Sequence, residues 1–202
     1  MKIILASSNK GKIKEIQGLL PEHQVIPFSD ILGKYDIEEY GSTFQENAII
    51  KAKDVNEKLK NINFQIPYIV ISDDSGLSVE ALNGDPGIYS ARYAGIGATD
   101  SLNNQLLINN LKKLGLKSSE AFYTASICVI YKDQVYTTHG WMYGKVVDYQ
   151  KGSGGFGYDP MFIPNGFTKT LGELEYKVKK SFSHRTKALD LAMILLNSIM
   201  KR

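Results

Sequence analysis

The sequence predicts an α/β fold built on a mixed β-sheet, and three observations carry that prediction. A short apolar run, Lys2 to Ala6, passes through a small polar loop into an amphipathic segment, the strand–loop–helix order of an α/β unit. Two β-rich runs, Phe122 to Tyr131 and Val135 to Val147, are joined through Lys132, Asp133 and Gln134 and read as an antiparallel hairpin. Their length suits the spine of a mixed sheet. Three segments with helical spacing, near 43–60, 99–114 and 183–199, supply the covering helices. At 202 residues and 43% hydrophobic content, the chain can bury a core as one domain with room for two lobes.

Composition narrows the class of function. The net charge is only +3 and the Lys and Arg residues are scattered, whereas a nucleic-acid binder usually carries a clustered basic face. The single cysteine, Cys128, lies in an apolar strand pattern, so no internal disulfide can form and the thiol reads as inert core. The apolar N-terminal run is too short for a secretory segment, and no stretch approaches membrane-spanning length. A soluble, cytoplasmic protein is expected.

Taken in order, the loop Ser7-Ser8-Asn9-Lys10-Gly11-Lys12 precedes a helix with Ile13, Ile16, Leu19 and Leu20 on one face, ended by Pro21. A helix start offers free N–H groups and the positive dipole end to an anion, and Lys10 and Lys12 add cationic donors. The spacing is not that of a Walker loop, and an ordinary helix capped by Ser or Asn is the alternative. Gln24 to Phe28 suits a second strand. Thr43 and Glu46 fit a capping box for a helix with Phe44, Ala48, Ala52, Val55 and Leu59 on its buried face. That leaves Glu38 and Glu39 without a local role, and either can complete a metal site. Thr99 or Asp100 caps a helix with Leu102, Leu106, Leu107, Leu111 and Leu114 on its face, and Gly115 closes it. His139 and Trp141 share one face of the second hairpin strand, and packing is the expected role of both.

Tyr68 to Ile71 reads as a short buried strand running into a loop at Asp73, Asp74, Ser75 and Gly76. Ligands of open α/β sheets bind beyond the carboxyl ends of strands, so two carboxylates there form a candidate cation-holding edge; Asp-Ser-Gly is also ordinary turn chemistry. Leu77, Val79 and Ala81 then alternate as a further strand. The stretch 151–160 packs glycines around Phe156, Tyr158 and Asp159, as either a flexible loop or a close backbone approach to a ligand with an aromatic to stack on a flat ring. Ser183 reads as the cap of the last helix, with Ala188, Leu191, Ala192, Leu195 and Ile199 inward. His184 and Arg185 in its first turn oppose the helix dipole unless an anionic or carbonyl-rich ligand lies there.

These segments together resemble the inosine triphosphatase family of house-cleaning pyrophosphatases. The matching segments, from Ile3 to about Leu191, are Ser7 to Lys12, Glu38 to Gly41 with Thr43 to Ala48, Asp73 to Leu77, Gly84 to Arg92, Gly154 to Pro160 and Ser183 to Arg185. The resemblance implies Mg²⁺-dependent hydrolysis of non-standard purine nucleoside triphosphates (ITP, dITP, XTP) to the monophosphate and pyrophosphate. It implies a two-lobed α/β fold with a long twisted mixed sheet, the active site in the cleft between lobes, and a homodimer. Ser7, Ser8, Asn9, Lys10, Gly11 and Lys12 would cradle the triphosphate and Lys51 would face phosphate. Asp74 would be the catalytic carboxylate and, with Glu39, a Mg²⁺ ligand. Ser75 would touch substrate, Phe156, Gly157, Tyr158 and Asp159 would line the base and sugar pocket, and Lys179, His184 and Arg185 would close over the purine. Arginine offers only donors, which suits the 6-oxygen of hypoxanthine or xanthine and not the 6-amino group of adenine. Two other readings compete: the septum-associated nucleotide pyrophosphatases, against which the Ser183-His184-Arg185 ending argues, and a nucleotide-sensing or RNA-binding protein, which would need a basic stripe.

Overall fold

Six strands, β1 (Lys2–Leu5), β2 (Val25–Pro27), β3 (Tyr68–Val79), β4 (Ser118–Tyr131), β5 (Gln134–Val147) and β6 (Phe162–Pro164), form one sheet in the order β2-β1-β3-β4-β5-β6. β1 runs parallel to both β2 and β3, while β5 and β6 are antiparallel, so the sheet is mixed as expected. The helices are α1 (Lys10–Leu19), α2 (Ser29–Leu32), α3 (Phe44–Asn61), α4 (Asp100–Lys113), α5 (Tyr176–Lys180) and α6 (His184–Met200). The structure, a computed structural model, describes residues 2–200. No described helix is long and apolar enough to cross a membrane.

The chain divides into two compact units. The first gathers the chain up to Asp74, Ala125–His139 and the chain from Lys187 onward. Its strands sort side chains by period two. Ile3, Leu5, Ile69, Ile71, Ala125, Ile127 and Val129 turn to one face, against Ile16 of α1 and Ala188, Leu189, Ala192 and Leu196 of α6. Ile4, Ala6, Val70, Cys128 and Ile130 turn to the other, against Ala48, Ala52, Val55 and Leu59 of α3. The second unit, Ser75–Thr124 with Gly140–Thr186, packs Leu107, Ile108 and Leu111 of α4 on Leu77, Val79, Ala121, Tyr123, Met142 and Val146.

Four local expectations change. Asp73 to Gly76 is not a loop: β3 continues through it for 12 residues. The pairing with β1 stops at Leu5↔Ile71, yet β4 is 14 residues long and keeps the strand extended on its other side. The carboxylates therefore lie beyond the carboxyl end of β1, in the middle of β3. The helix stripes are also rotated. Leu102, Leu114 and Leu191 are exposed, while Ile108, Leu189 and Leu196 are buried, because several i, i+4 apolar stripes compete on leucine-rich helices and packing selects one. Trp141 is 44% exposed, so the expected packing covers it only in part. The hairpin turn is tighter than read, with only Lys132 and Asp133 between the strands, both at positive φ (47° and 64°), which matches the strand twist.

Candidate active site

The end of β1 sets the first half of the site. Ala6 donates its N–H to the Ile71 carbonyl at 2.8 Å, and the chain then leaves the sheet through Ser7 and Ser8 into α1. Asn9 caps that helix, its Oδ1 accepting from the Lys12 N–H at 3.0 Å, so the side chain of Asn9 is already committed to the backbone. No acidic residue occupies the first turn, and Ser8, Asn9 and Lys10 are exposed. The helix start thus presents a positive end to solvent. The Lys12 ammonium lies 2.8 Å from Asp73 Oδ2, whose side chain is fully buried.

One residue on, Asp74 points to a second ammonium. Lys51, 6% exposed on the buried face of α3, sits 2.7 Å from Asp74 Oδ1 and 2.9 Å from Glu39 Oε1. Glu39 arrives there because its loop is cinched to the start of α3. The Gly41 N–H donates to Asn47 Oδ1 at 2.8 Å, and a Cβ on Gly41 would stand 2.6 Å from that oxygen. The Ser72 hydroxyl ties β3 to the same helix through the Ala48 carbonyl.

Within this cluster three carboxylates, Glu39, Asp73 and Asp74, face two ammonium groups, Lys12 and Lys51. Burial opposes the charge on Lys51, but the Asp74 and Glu39 carboxylates more than offset it and hold the amine above its ordinary range. Asp74 moves the other way in terms of charge: burial lifts its carboxyl above the usual carboxylate range, and Lys51 and Lys12 only partly counter this. Asp74 Oδ2 is buried without a hydrogen-bond partner among the described residues.

That orphaned oxygen is a test for a metal, and Mg²⁺ fits it. The available donors are hard carboxylate oxygens. No group of three His, Cys, Asp or Glu side chains suited to a metal occurs among the described residues. Asp74 and Glu39 would be the protein's whole share, which suits an ion that keeps waters and takes phosphate oxygens.

The second unit assembles a different cluster. Arg185, 2% exposed in the first turn of α6, donates from Nη2 to Ser75 Oγ at 2.7 Å. His184 stacks on Tyr123 at 4.7 Å between centroids and 11° between planes. Ser183 caps this helix as expected, accepting from the Thr186 N–H at 3.1 Å. In the glycine-rich stretch, Asp159 is the organising residue. Its Oδ2 accepts from Lys179 Nζ at 2.6 Å and from the Phe156 N–H at 3.0 Å. Gly155, at φ +77°, passes so close that a Cβ would stand 1.8 Å from that oxygen. The close approach in this stretch is therefore to the protein itself. Phe156, half-buried, lies with its ring centre 5.2 Å from Lys179 Nζ and 5.6 Å from Arg185 Cζ. Tyr158 is instead in the core, its hydroxyl donating to the Ser90 carbonyl at 2.8 Å, so Phe156 is the aromatic available to a flat ring.

The sequence pattern of the Ham1 family spans residues 3–194 of this chain. The chain belongs to the Ham1 family. It is 58% identical to the dITP/XTP pyrophosphatase of Aliarcobacter butzleri over 200 residues, covering 99% of this chain and 100% of the relative. It is 55% identical to that of Nautilia profundicola, covering 98% and 99%. Among solved structures it superposes on the Staphylococcus aureus Ham1 protein with TM-score 0.82 at 38% identity, covering 98% and 99%. A Coxiella burnetii HAM1 protein gives 0.84 at 35%, again covering 98% and 99%. The resemblance read from the motifs and the mixed α/β fold are borne out.

In this Ham1-family chain, of the residues singled out by sequence, Lys12, Glu39, Lys51 and Asp74 meet in the first unit, and Ser75, Phe156, Asp159, Lys179, His184 and Arg185 gather in the second, while Tyr158 joins the core. Lys51 is not turned toward solvent but buried between two carboxylates. Asp73, one of the two carboxylates of the candidate cation-holding edge, holds Lys12. Two participants escape the sequence. Tyr123 lies under His184 from a strand 61 positions earlier, which no local pattern links to a helix cap. Asn47 was legible only as a polar residue on an apolar helix stripe.

Proposed function

We propose that this protein hydrolyses non-standard purine nucleoside triphosphates, dITP, ITP and XTP, to the monophosphate and pyrophosphate. The observation that carries the reading is the buried Asp74 oxygen without a partner, in a carboxylate cluster to which α1 contributes the Lys12 ammonium. The relatives named dITP/XTP pyrophosphatase, similar over their whole length, support the same substrate class.

The triphosphate would engage Ser7, Ser8, Lys10, Gly11 and Lys12 at the helix start, with backbone N–H groups and ammoniums meeting its charge. Mg²⁺ held by Glu39 and Asp74 would supply polarisation of the phosphates and neutralisation of the departing pyrophosphate. With Lys51 on its Oδ1, Asp74 would also orient the attacking water and take its proton as the water oxygen attacks the α-phosphorus. The purine would meet the second cluster. Phe156 offers its ring, and Lys179, His184 and Arg185 surround the base as donors that match a 6-oxygen. Ser75, which follows Asp74 directly in β3, already accepts from Arg185 and would touch substrate beside it.

Phosphorus NMR of a reaction with dITP and Mg²⁺ tests this directly. The expected products are dIMP and pyrophosphate, whereas a nucleoside diphosphate with orthophosphate would overturn attack at the α position. We also propose a homodimer in the cytoplasm, as the resemblance implies. Phe122, Trp141 and Tyr143, on the adjacent strands β4 and β5, are exposed by 36%, 44% and 59% and offer a second copy an aromatic surface. Sedimentation equilibrium should give twice the chain mass.

A further inference from the structure

The glycine-rich stretch is held from outside as well as from within. Gly157, at φ +63°, donates its N–H to Asp100 Oδ2 at 2.7 Å, and its carbonyl accepts from Asn104 Nδ2 at 3.1 Å. Asp100 and Asn104 are i and i+4 on α4, so one helix face grips both polar atoms of a single residue. The second Nδ2 proton of Asn104 goes to Gln150 Oε1 at 3.1 Å, just before the stretch begins. One amide thus spans the stretch from its entry to its turn.

Asn104 is an expensive way to pack a helix. It is 2% exposed and shares the buried stripe of α4 with Leu107, Ile108 and Leu111, where an apolar residue would fill the space without polar atoms. Its Oδ1 is buried with no hydrogen-bond partner among the described residues, a desolvation cost left uncompensated. What the position gains is two donors aimed at two acceptors. One of those donors fixes Gly157, and Gly157 is bonded to Phe156, whose ring lies against Lys179 and Arg185.

We propose that Asp100 and Asn104 are positioning residues for the purine side of the reaction: by clamping both polar atoms of the Gly157 backbone they hold Phe156 where a base can stack. The inference rests on the proposed function and adds to it. It also reassigns Gly157, whose N–H and carbonyl are occupied by α4, from a residue that contacts the base to one that places its neighbour.

The test compares ligands that have a base with one that does not. Asn104→Asp keeps the shape but turns a donor into a carboxylate facing two acceptors. It should raise KM for dITP about tenfold or more with kcat within about threefold of the parent, the pattern of lost binding rather than lost chemistry. The inhibition constant of inorganic tripolyphosphate, which lacks a base, should stay unchanged. Asp100→Ala, on an exposed first turn, should act in the same direction, and Asp100→Asn, which keeps an acceptor, should restore most of the affinity. It also carries the test if Asn104→Asp fails to fold. An unchanged KM in the folded variants, or equal weakening of dITP and tripolyphosphate, would overturn the clamp. An unmodified protein that does not hydrolyse dITP would instead overturn the proposed function itself.

Discussion

Asp74 is a carboxylate whose two oxygens have been given different situations. One is paired with Lys51 at 2.7 Å and the other is buried and unmatched. Replacing it by Asn preserves the shape and removes both the proton acceptor and the negative charge offered to a cation. Loss of a general base alone costs roughly 10²–10⁴-fold in rate, and a weakened metal site adds to that. Asp74→Asn should therefore fold and be nearly inactive. Retention of more than about a tenth of the turnover, a barrier change of only about 1.4 kcal/mol, would remove Asp74 from the chemistry. Cys128 is the opposite case, a reactive group made inert. It is fully buried and burial pushes its thiol up to about 12, so the thiolate that would attack an electrophile is scarce at neutral pH. A disulfide reagent at pH 8 should leave the folded protein unmodified and titrate one thiol after denaturation.

The start of α3 shows how an element reaches into the site. Thr43 caps it, its hydroxyl accepting from the Glu46 N–H at 3.1 Å. Glu46 reaches back one residue further than a simple capping box, its Oε2 accepting from the Ser42 N–H and the Ser42 hydroxyl, both at 2.7 Å. The Ser42 hydroxyl and then its N–H hold the carboxyl below its ordinary range. A depressed folded-state value means that this contribution is present above the unfolded pKa and lost as pH falls through the folded one. The thermal midpoint difference between the parent and Glu46→Gln should therefore be largest near neutrality and disappear on acidification below the usual carboxylate range. A difference that persists there would show that the carboxylate charge is not what matters. Thr43→Ala, by contrast, should cost about 1 kcal/mol at any pH. Turnover should fall only through stability in both variants, since neither side chain belongs to the Lys51 cluster.

For the whole molecule, the carboxylates are held by the chain's own cations. Lys12 holds Asp73 and Lys51 holds Asp74 and Glu39. Removing divalent ions should abolish turnover while leaving the far-UV circular dichroism unchanged, and Mg²⁺ should restore activity. Adding Mg²⁺ should raise the thermal midpoint by mass action in the parent and not in Asp74→Asn. Collapse of the secondary structure on chelation would show a structural metal instead.

The sequence by itself determined the α/β class, the family, the helix caps at Thr43 and Ser183 and most residues of both clusters, and it narrowed two further caps to Ser or Asn before α1 and to Thr99 or Asp100 before α4. These are legible because caps, periodicities and short motifs act over a few residues. Only the tertiary structure decided that Asp73 and Asp74 stand inside a 12-residue strand, because extension there depends on a neighbouring strand more than 40 positions later. Only it decided that Lys51 is buried between Glu39 and Asp74, that Tyr158 is core while Phe156 is available, and that α4 grips Gly157. Each of these is a contact between side chains or backbone far apart in sequence. The chain encodes them in its packing, since a buried charge or amide takes whichever partner the fold brings within 3 Å or so of it.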